Sequence, residues 1–187
     1  MNNIYTVEMQ KVRKMAERAK MDCEYFFQRT GRYGHNTPDR QTNAYKSEYA
    51  VQQLYRMSGI NAHQNINNKS DPDLTIPAHT TLHGEQPARQ EEVKYWKTGN
   101  SFDNYFATIH EFHADKYARK ERARVWCCEV NMMTGVVIVH GWLTPAEILQ
   151  CETRITSSGV NYQAEVMHRV SEVIQNIEDE DLSSGWW

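Results

Sequence analysis

Hydrophobic and polar positions repeat with two periods along this chain. Ser47, Ala50, Val51, Leu54 and Ser58 recur at helical spacing and predict a helix over 45–57 that stops before Gly59, with Glu48 at the margin of the packing stripe. Over 73–76 and 91–96 the period shortens to two. Leu74, Ile76 and Val93 point one way, and Asp73, Thr75, Glu92 and Lys94 the other, so each segment predicts a strand. The segments 124–130 and 136–143 are apolar on both faces and predict central strands, joined by a hairpin turn over 131–135.

The rest of the pattern is coarser. Ile4, Val7, Val12, Met15, Ala16 and Ala19 predict one long helix over 4–27. Residues 30–42, with Gly31, Gly34 and Pro38, read as a loop, and 60–66 as a strand. A loop containing His79, His83, Gly84 and Pro87 is expected over 77–90, and a turn over 99–103. Residues 102–122 predict a helix with Phe106, Ile109, Phe112 or His113, and Tyr117 inward. Thr144 caps a helix that Pro145 opens, and a last helix is expected over 161–177. The tail 178–187, acidic and then aromatic, is expected to be flexible and suited to docking on a protein partner or in the chain's own basic channel.

Pairing of the strands at 73–76 and 91–96, with the apolar residues buried, brings the ionic residues of the opposite face together. Asp73 and Glu92 then offer the one or two carboxylates that a hard cation such as Mg²⁺ takes alongside water and a substrate phosphate. Lys94, one strand step on, can hold an attacking water and offset charge growing on a phosphate. A register shift of one residue would exchange these acids for Asp71 and Glu91.

Pro72-Asp73 followed by Glu92-Val93-Lys94 resembles the motif of the PD-(D/E)XK nuclease superfamily, which includes restriction endonucleases, junction resolvases and phage or repair exonucleases. The resemblance covers roughly 42–139 by order of elements. It implies an α/β fold with a restriction-endonuclease-like core: a helix, three antiparallel strands, a second helix and a further strand. Here that is a mixed central sheet flanked by helices, with an extra amino-terminal helix and carboxy-terminal helices. It also implies Asp73, Glu92, Lys94 and Glu48 as catalytic residues, with Mg²⁺ or Mn²⁺ held by Asp73, Glu92, the Val93 carbonyl and Glu48. The implied activity is hydrolysis of DNA phosphodiesters to 5′-phosphates, by a structure-selective, resolvase-like or phage and repair enzyme. The alternative is a non-catalytic nucleic-acid-binding or adaptor protein of the same fold.

Length and charge refine this picture. A chain of 187 residues can bury a genuine core, and divides on this reading into a helix and basic loop (1–41), a core with carboxy-terminal helices (42–177) and the tail. No apolar run approaches a membrane span and no signal-peptide pattern opens the chain, so a cytoplasmic, intracellular protein without membrane contact is expected. The formal net charge of -3 is unevenly spread: +4 over 1–60, 0 over 61–125 and -7 beyond. Phosphate binding is therefore expected in the first two thirds, at Lys11, Arg13, Lys14, Arg18 and Lys20, and at Lys116, Arg119, Lys120, Arg122 and Arg124. Arg32 and Arg40, in the loop with Tyr33 and His35, and Lys97 at a strand end complete the expected DNA contacts. A homodimer is compatible with this size. Cys23, Cys127, Cys128 and Cys151 lack metal-ligand spacing and read as reduced thiols. His110-Glu111-Phe112-His113 spaces its histidines three apart, where the zinc-protease helix needs four, and no nucleophile elbow or phosphate loop is present.

Overall fold

Strand pairing claims the first apolar residues of the chain, where helical spacing predicts a helix. The structure is a computed structural model that describes residues 4–31, 37–65, 72–81, 84–97, 107–157 and 159–170. In chain order its elements are β1 (Ile4–Thr6), α1 (Met9–Thr30), α2 (Pro38–Met57), β2 (His63–Gln64), β3 (Leu74–Ile76), β4 (His79–Thr81), β5 (Gly84–Gln86) and β6 (Arg89–Lys97). They continue as β7 (Ala107–His110), α3 (Glu111–Arg119), β8 (Arg124–Val130), β9 (Val136–Leu143), α4 (Pro145–Ile148), β10 (Thr153–Thr156), β11 (Gly159–Ala164) and β12 (His168–Arg169). The architecture is mixed α/β.

The main sheet runs β1-β9-β8-β6-β3-β2, with β12 also beside β9. Its neighbours are antiparallel except β6 and β8, which are parallel and joined through α3, because a parallel pair needs a crossover too long for a hairpin. The strands β10, β11 and β7 form a smaller antiparallel sheet.

Helices cover both faces of the main sheet. On one, Val51, Leu54 and Tyr55 of α2 pack with Leu74, Val93, Trp126 and Cys128. On the other, Ala114 and Tyr117 of α3 pack with Ile109, Val125, Cys127 and Leu143. Consecutive residues of β8 thus enter opposite cores, the alternation that a pleated strand imposes. The four cysteines are free thiols, as expected, and burial pushes Cys127 up to about 12.

Two buried polar residues fix α2 against the sheet. Lys46 donates to the carbonyls of Asn131 and Thr134, both at 3.1 Å, and so caps the β8–β9 turn. Burial pulls its pKa down. Glu91, wholly buried on the α2 side of β6, accepts from Tyr55 Oη at 2.8 and 2.9 Å, from Trp126 Nε1 at 2.7 Å and from Arg89 Nε at 2.8 Å. Arg124 Nη1 donates to the same Tyr55 hydroxyl at 2.9 Å.

Several expectations are corrected. Residues 4–6 form β1 because Ile4, Tyr5 and Thr6 find β9, a partner remote in sequence. The helix α2 begins at Pro38, since Thr37 caps it by accepting from Arg40 N–H at 3.3 Å, so Arg40 is helical and not in a loop. The loop over 77–90 carries the β4–β5 hairpin. Of the helix expected over 102–122, residues 107–110 are a strand paired with β11, and His110 caps α3 by accepting Phe112 N–H at 3.1 Å. The last helix is replaced, where described, by β11 and β12, so α4 is the only carboxy-terminal helix among the described residues. Arg32, Asp71, Phe106, the turn at 99–103 and residues 171–187, including the tail, lie outside the described residues. No helix among the described residues is long and apolar enough to cross a membrane.

Because Glu91 neutralises and orients donors from α2, β6 and β8, Glu91→Ala should lower stability by about 3–5 kcal/mol in urea unfolding. A loss below about 1 kcal/mol would mean that those donors repair their bonds without it.

Candidate functional site

The ladder between β3 and β6 ends at Leu74 opposite Glu91, whereas β6 stays paired with β8 as far as Lys97. Beyond Leu74 the two strands therefore part, and Asp73 occupies the fork. Its Oδ2 accepts the Val93 N–H at 2.7 Å, where a continuing β3 would have offered a carbonyl. Continuing the register sets Asp73 opposite Glu92, on the α3 face of the sheet, with Lys94 two residues along the same face.

Glu92 is buried, and its Oε1 accepts from Arg122 Nε at 2.8 Å. Arg122 also donates to the Gln90 side chain, which places this guanidinium against the strand before β8 begins. Glu48 projects from α2 and is buried as well, and its Oε2 accepts from Gln64 Nε2 of β2 at 2.7 Å. Each of the three carboxylates thus has one oxygen anchored by a protein donor. The other oxygen of each makes no hydrogen bond within the described residues.

The charges of these groups bear on one another. Burial, then the neighbouring Asp73, pushes Glu48 up to about 8, against the opposing pull of the Gln64 hydrogen bond and Lys94. Glu92 is raised for the same two leading reasons, with Lys94, Arg122 and Lys116 opposing. Burial would lower Lys94, but the Tyr117 hydroxyl oxygen, Asp73 and Glu92 outweigh it and hold the ammonium protonated. Its Nζ lies 5.4 Å from the centre of the Tyr117 ring. His113, tilted over that ring at 6.1 Å, is kept neutral-leaning by desolvation and by Lys94 and Lys116.

Compared with known protein families and with curated proteins, the chain matches no family model and no curated sequence.

The fold brings Glu48, Asp73, Glu92 and Lys94 to one locality and assigns Glu91 to the opposite core, so the neighbouring acids of β6 have separate roles. Among the expected nucleic-acid contacts, Lys116 is half-buried and acts electrostatically on Glu92, while Arg119 and Lys120 are exposed at the end of α3. Arg40 is exposed in the first turn of α2. Lys97 ends β6, and its side chain lies outside what is described. Arg122 and Arg124 do not extend the basic surface: the first is buried against Glu92, and the second stands over Trp142 at 4.3 Å. Sequence reasoning missed Gln64 and Arg122 as the donors that orient Glu48 and Glu92. Nothing local to either residue signals its partner, which comes from a different element.

No group of three His, Cys, Asp or Glu side chains among the described residues is gathered tightly enough to enclose a metal unaided. A hard cation that keeps several waters does not need such a cage. The donor set fits one: all-oxygen ligands, orienting hydrogen bonds behind them, and carboxylates whose mutual repulsion a divalent charge would relieve. Asp73, Glu92 and the Val93 carbonyl would hold it, with Glu48 beside them.

The raised Glu48 makes stability pH-dependent. This carboxyl keeps its proton in the folded chain between about 4.5 and about 8, where the unfolded chain releases it. Its contribution is therefore full below that window and is lost as pH rises through about 8. In a chelator, unfolding free energy should fall across this range with a slope of up to about 1.4 kcal/mol per pH unit from this group. Glu48→Gln should flatten it, and Mg²⁺ should restore stability on the alkaline side. Urea midpoints that are independent of pH in both proteins would refute the assignment.

Proposed function

We propose that this chain is a metal-dependent nuclease of the PD-(D/E)XK type, with a restriction-endonuclease-like core, that hydrolyses DNA phosphodiester bonds with Mg²⁺ or Mn²⁺. The observation that carries the reading is the fork between β3 and β6. Three carboxylates lie near enough there to act on one another's charge, each held by one oxygen with the other unbonded among the described residues, beside a lysine kept protonated. The succession α2, β2, β3, β6, α3, β8, with β2, β3 and β6 antiparallel, supports it further, because it follows the order of elements that the motif implies.

The division of labour follows from position. A bound Mg²⁺ would polarise the scissile phosphate and lower the pKa of an attacking water. Asp73 and Glu92 supply oriented oxygens on one face of the sheet, and the Val93 N–H and Arg122 keep them from rotating away. Lys94 directs its ammonium at the charge that grows on the phosphate oxygens as water adds to phosphorus in line and the 3′ oxygen departs. Tyr117 walls the lysine from solvent on the α3 side. Glu48, which holds its own proton up to about 8, can take the proton that water releases only once it is ionised, above about 8 or with a cation bound beside it.

Linear, single-stranded, nicked and four-way-junction DNA incubated in Mg²⁺, Mn²⁺ and EDTA provides the test. Cleavage should require metal, and Lys94→Ala should lower kcat by about 10²–10³ without weakening DNA binding. Binding that survives chelation and Asp73→Ala, with no cleavage of any of these DNAs, would replace the nuclease by a non-catalytic nucleic-acid-binding protein.

A further inference from the structure

A basic pocket opens beside the carboxylates, between α1, α2 and the edge strand β2. It encloses about 390 Å³, which lies within the range of pockets that hold a small ligand. Lys11, Lys14 and Arg18 line one wall. Their spacing of three and then four residues puts them on a single face of α1. Tyr45 and Tyr49 of α2 form the facing wall, and Gln64 lies at the end nearest the site.

Two features distinguish this pocket from an ordinary helix–helix groove. First, two of its three cations are fixed. Lys11 Nζ donates to Tyr49 Oη at 2.5 Å and lies 4.0 Å from the centre of that ring. Arg18 Nε is braced by Asp22 at 3.1 Å, and Tyr45 Oη holds the same carboxylate at 2.5 Å. Asp22 offsets only one of the three positive charges, so the wall remains cationic. Second, the pocket is coupled to the proposed catalytic groups through a shared residue: Gln64 lines it and also donates to Glu48.

A ligand that satisfies both walls is anionic at one end and flat or apolar at the other. We infer that the pocket holds one nucleotide of the substrate strand, its phosphate on Lys11 and Lys14 and its sugar and base toward Met15 and the two tyrosines. The inference rests on the nuclease reading and narrows it to a substrate class. A base can enter a pocket between two helices only when it is unpaired, so the preferred substrate carries a single-stranded segment next to the scissile phosphate. Positive charge combined with aromatic side chains is the general means of binding such strands.

The experiment measures fluorescence anisotropy of a labelled oligothymidylate and of a blunt duplex of equal length, in EDTA so that no cleavage intervenes, across a salt series. The wild type should bind the single strand about tenfold or more tightly than the duplex. Lys14→Glu, at an exposed position where the fold is undisturbed, should erase that preference. Lys11→Ala combined with Lys14→Ala should also reduce the salt slope for the single strand by roughly 1, the loss of one to two phosphate contacts. Equal affinity for strand and duplex, or an unchanged preference in both variants, overturns the inference. Competition by thymidine monophosphate as effective as that by the oligonucleotide overturns the strand assignment in favour of a free nucleotide. Cleavage in Mg²⁺, followed in parallel, separates the two proposals. Cleavage lost in Lys94→Ala with no strand preference removes the pocket alone, whereas strand preference without any cleavage removes the nuclease.

Discussion

Glu91 is the interaction on which the arrangement depends. A carboxylate without solvent is costly unless every side of it meets a donor. Here Tyr55 from α2, Arg89 from β6 itself and Trp126 from β8 meet it at hydrogen-bonding distance. These bonds fix the rotation of β6 about its axis. Once Glu91 faces α2, the pleat turns Glu92 and Lys94 toward α3. A slip of one residue would seat Glu92 or Gln90 in the place of Glu91 and turn Lys94 toward the apolar side chains on the α2 side. The neutralised acid in the core therefore guards the position of its chemically interesting neighbour.

The fork at Asp73 is the complement of this constraint. Had β3 continued, its backbone would have consumed the Val93 N–H and left no room for a side chain. Instead the ladder ends and a carboxylate takes the proton donor, which both satisfies the strand edge and aims Asp73 at Glu92. The resulting repulsion is incompletely cancelled. Arg122 answers Glu92, and Lys94 acts electrostatically on both it and Asp73, but Glu48 stays above the ordinary carboxylate range. Such residual strain in charge is what a site for a cation and a phosphate needs, since a fully neutralised cluster would gain nothing from either.

The parts of this arrangement that were legible in the sequence are those set by neighbours in the chain. Alternation alone indicated that Asp73, Glu92 and Lys94 share a face, and helical spacing put Glu48 at the edge of the α2 stripe. The apolar runs of β8 and β9 announced central strands. What the sequence concealed depends on remote partners. Ile4 and Val7 satisfy helical spacing as well as they satisfy β1 and its contact with the β8–β9 turn, and only pairing with Val136–Ile138 decides between them. Thr153–Thr156 is exposed throughout, so no periodicity betrays it, and β11 exists because β7 and β10 flank it. Arg122 resembled one more surface cation in a basic run until the parallel pairing of β6 with β8 brought it to Glu92.

The same dependence on remote contacts governs the electrostatics of a chain whose net charge is negative. What matters is where the cations stand relative to the acids, and the sheet edge decides that. Because β2 is an edge strand, the cluster it borders is flanked on one side by α3, with Lys116 and His113, and on the other by α1, with Lys11 and Lys14. The acidic excess lies mainly in the last third of the sequence. A strand crossing the edge would meet cations before, at and after the carboxylates, and its phosphates would be drawn along that line. Gln64, fixed in β2 and bonded to Glu48, is the point at which the basic pocket of α1 and α2 touches the carboxylates.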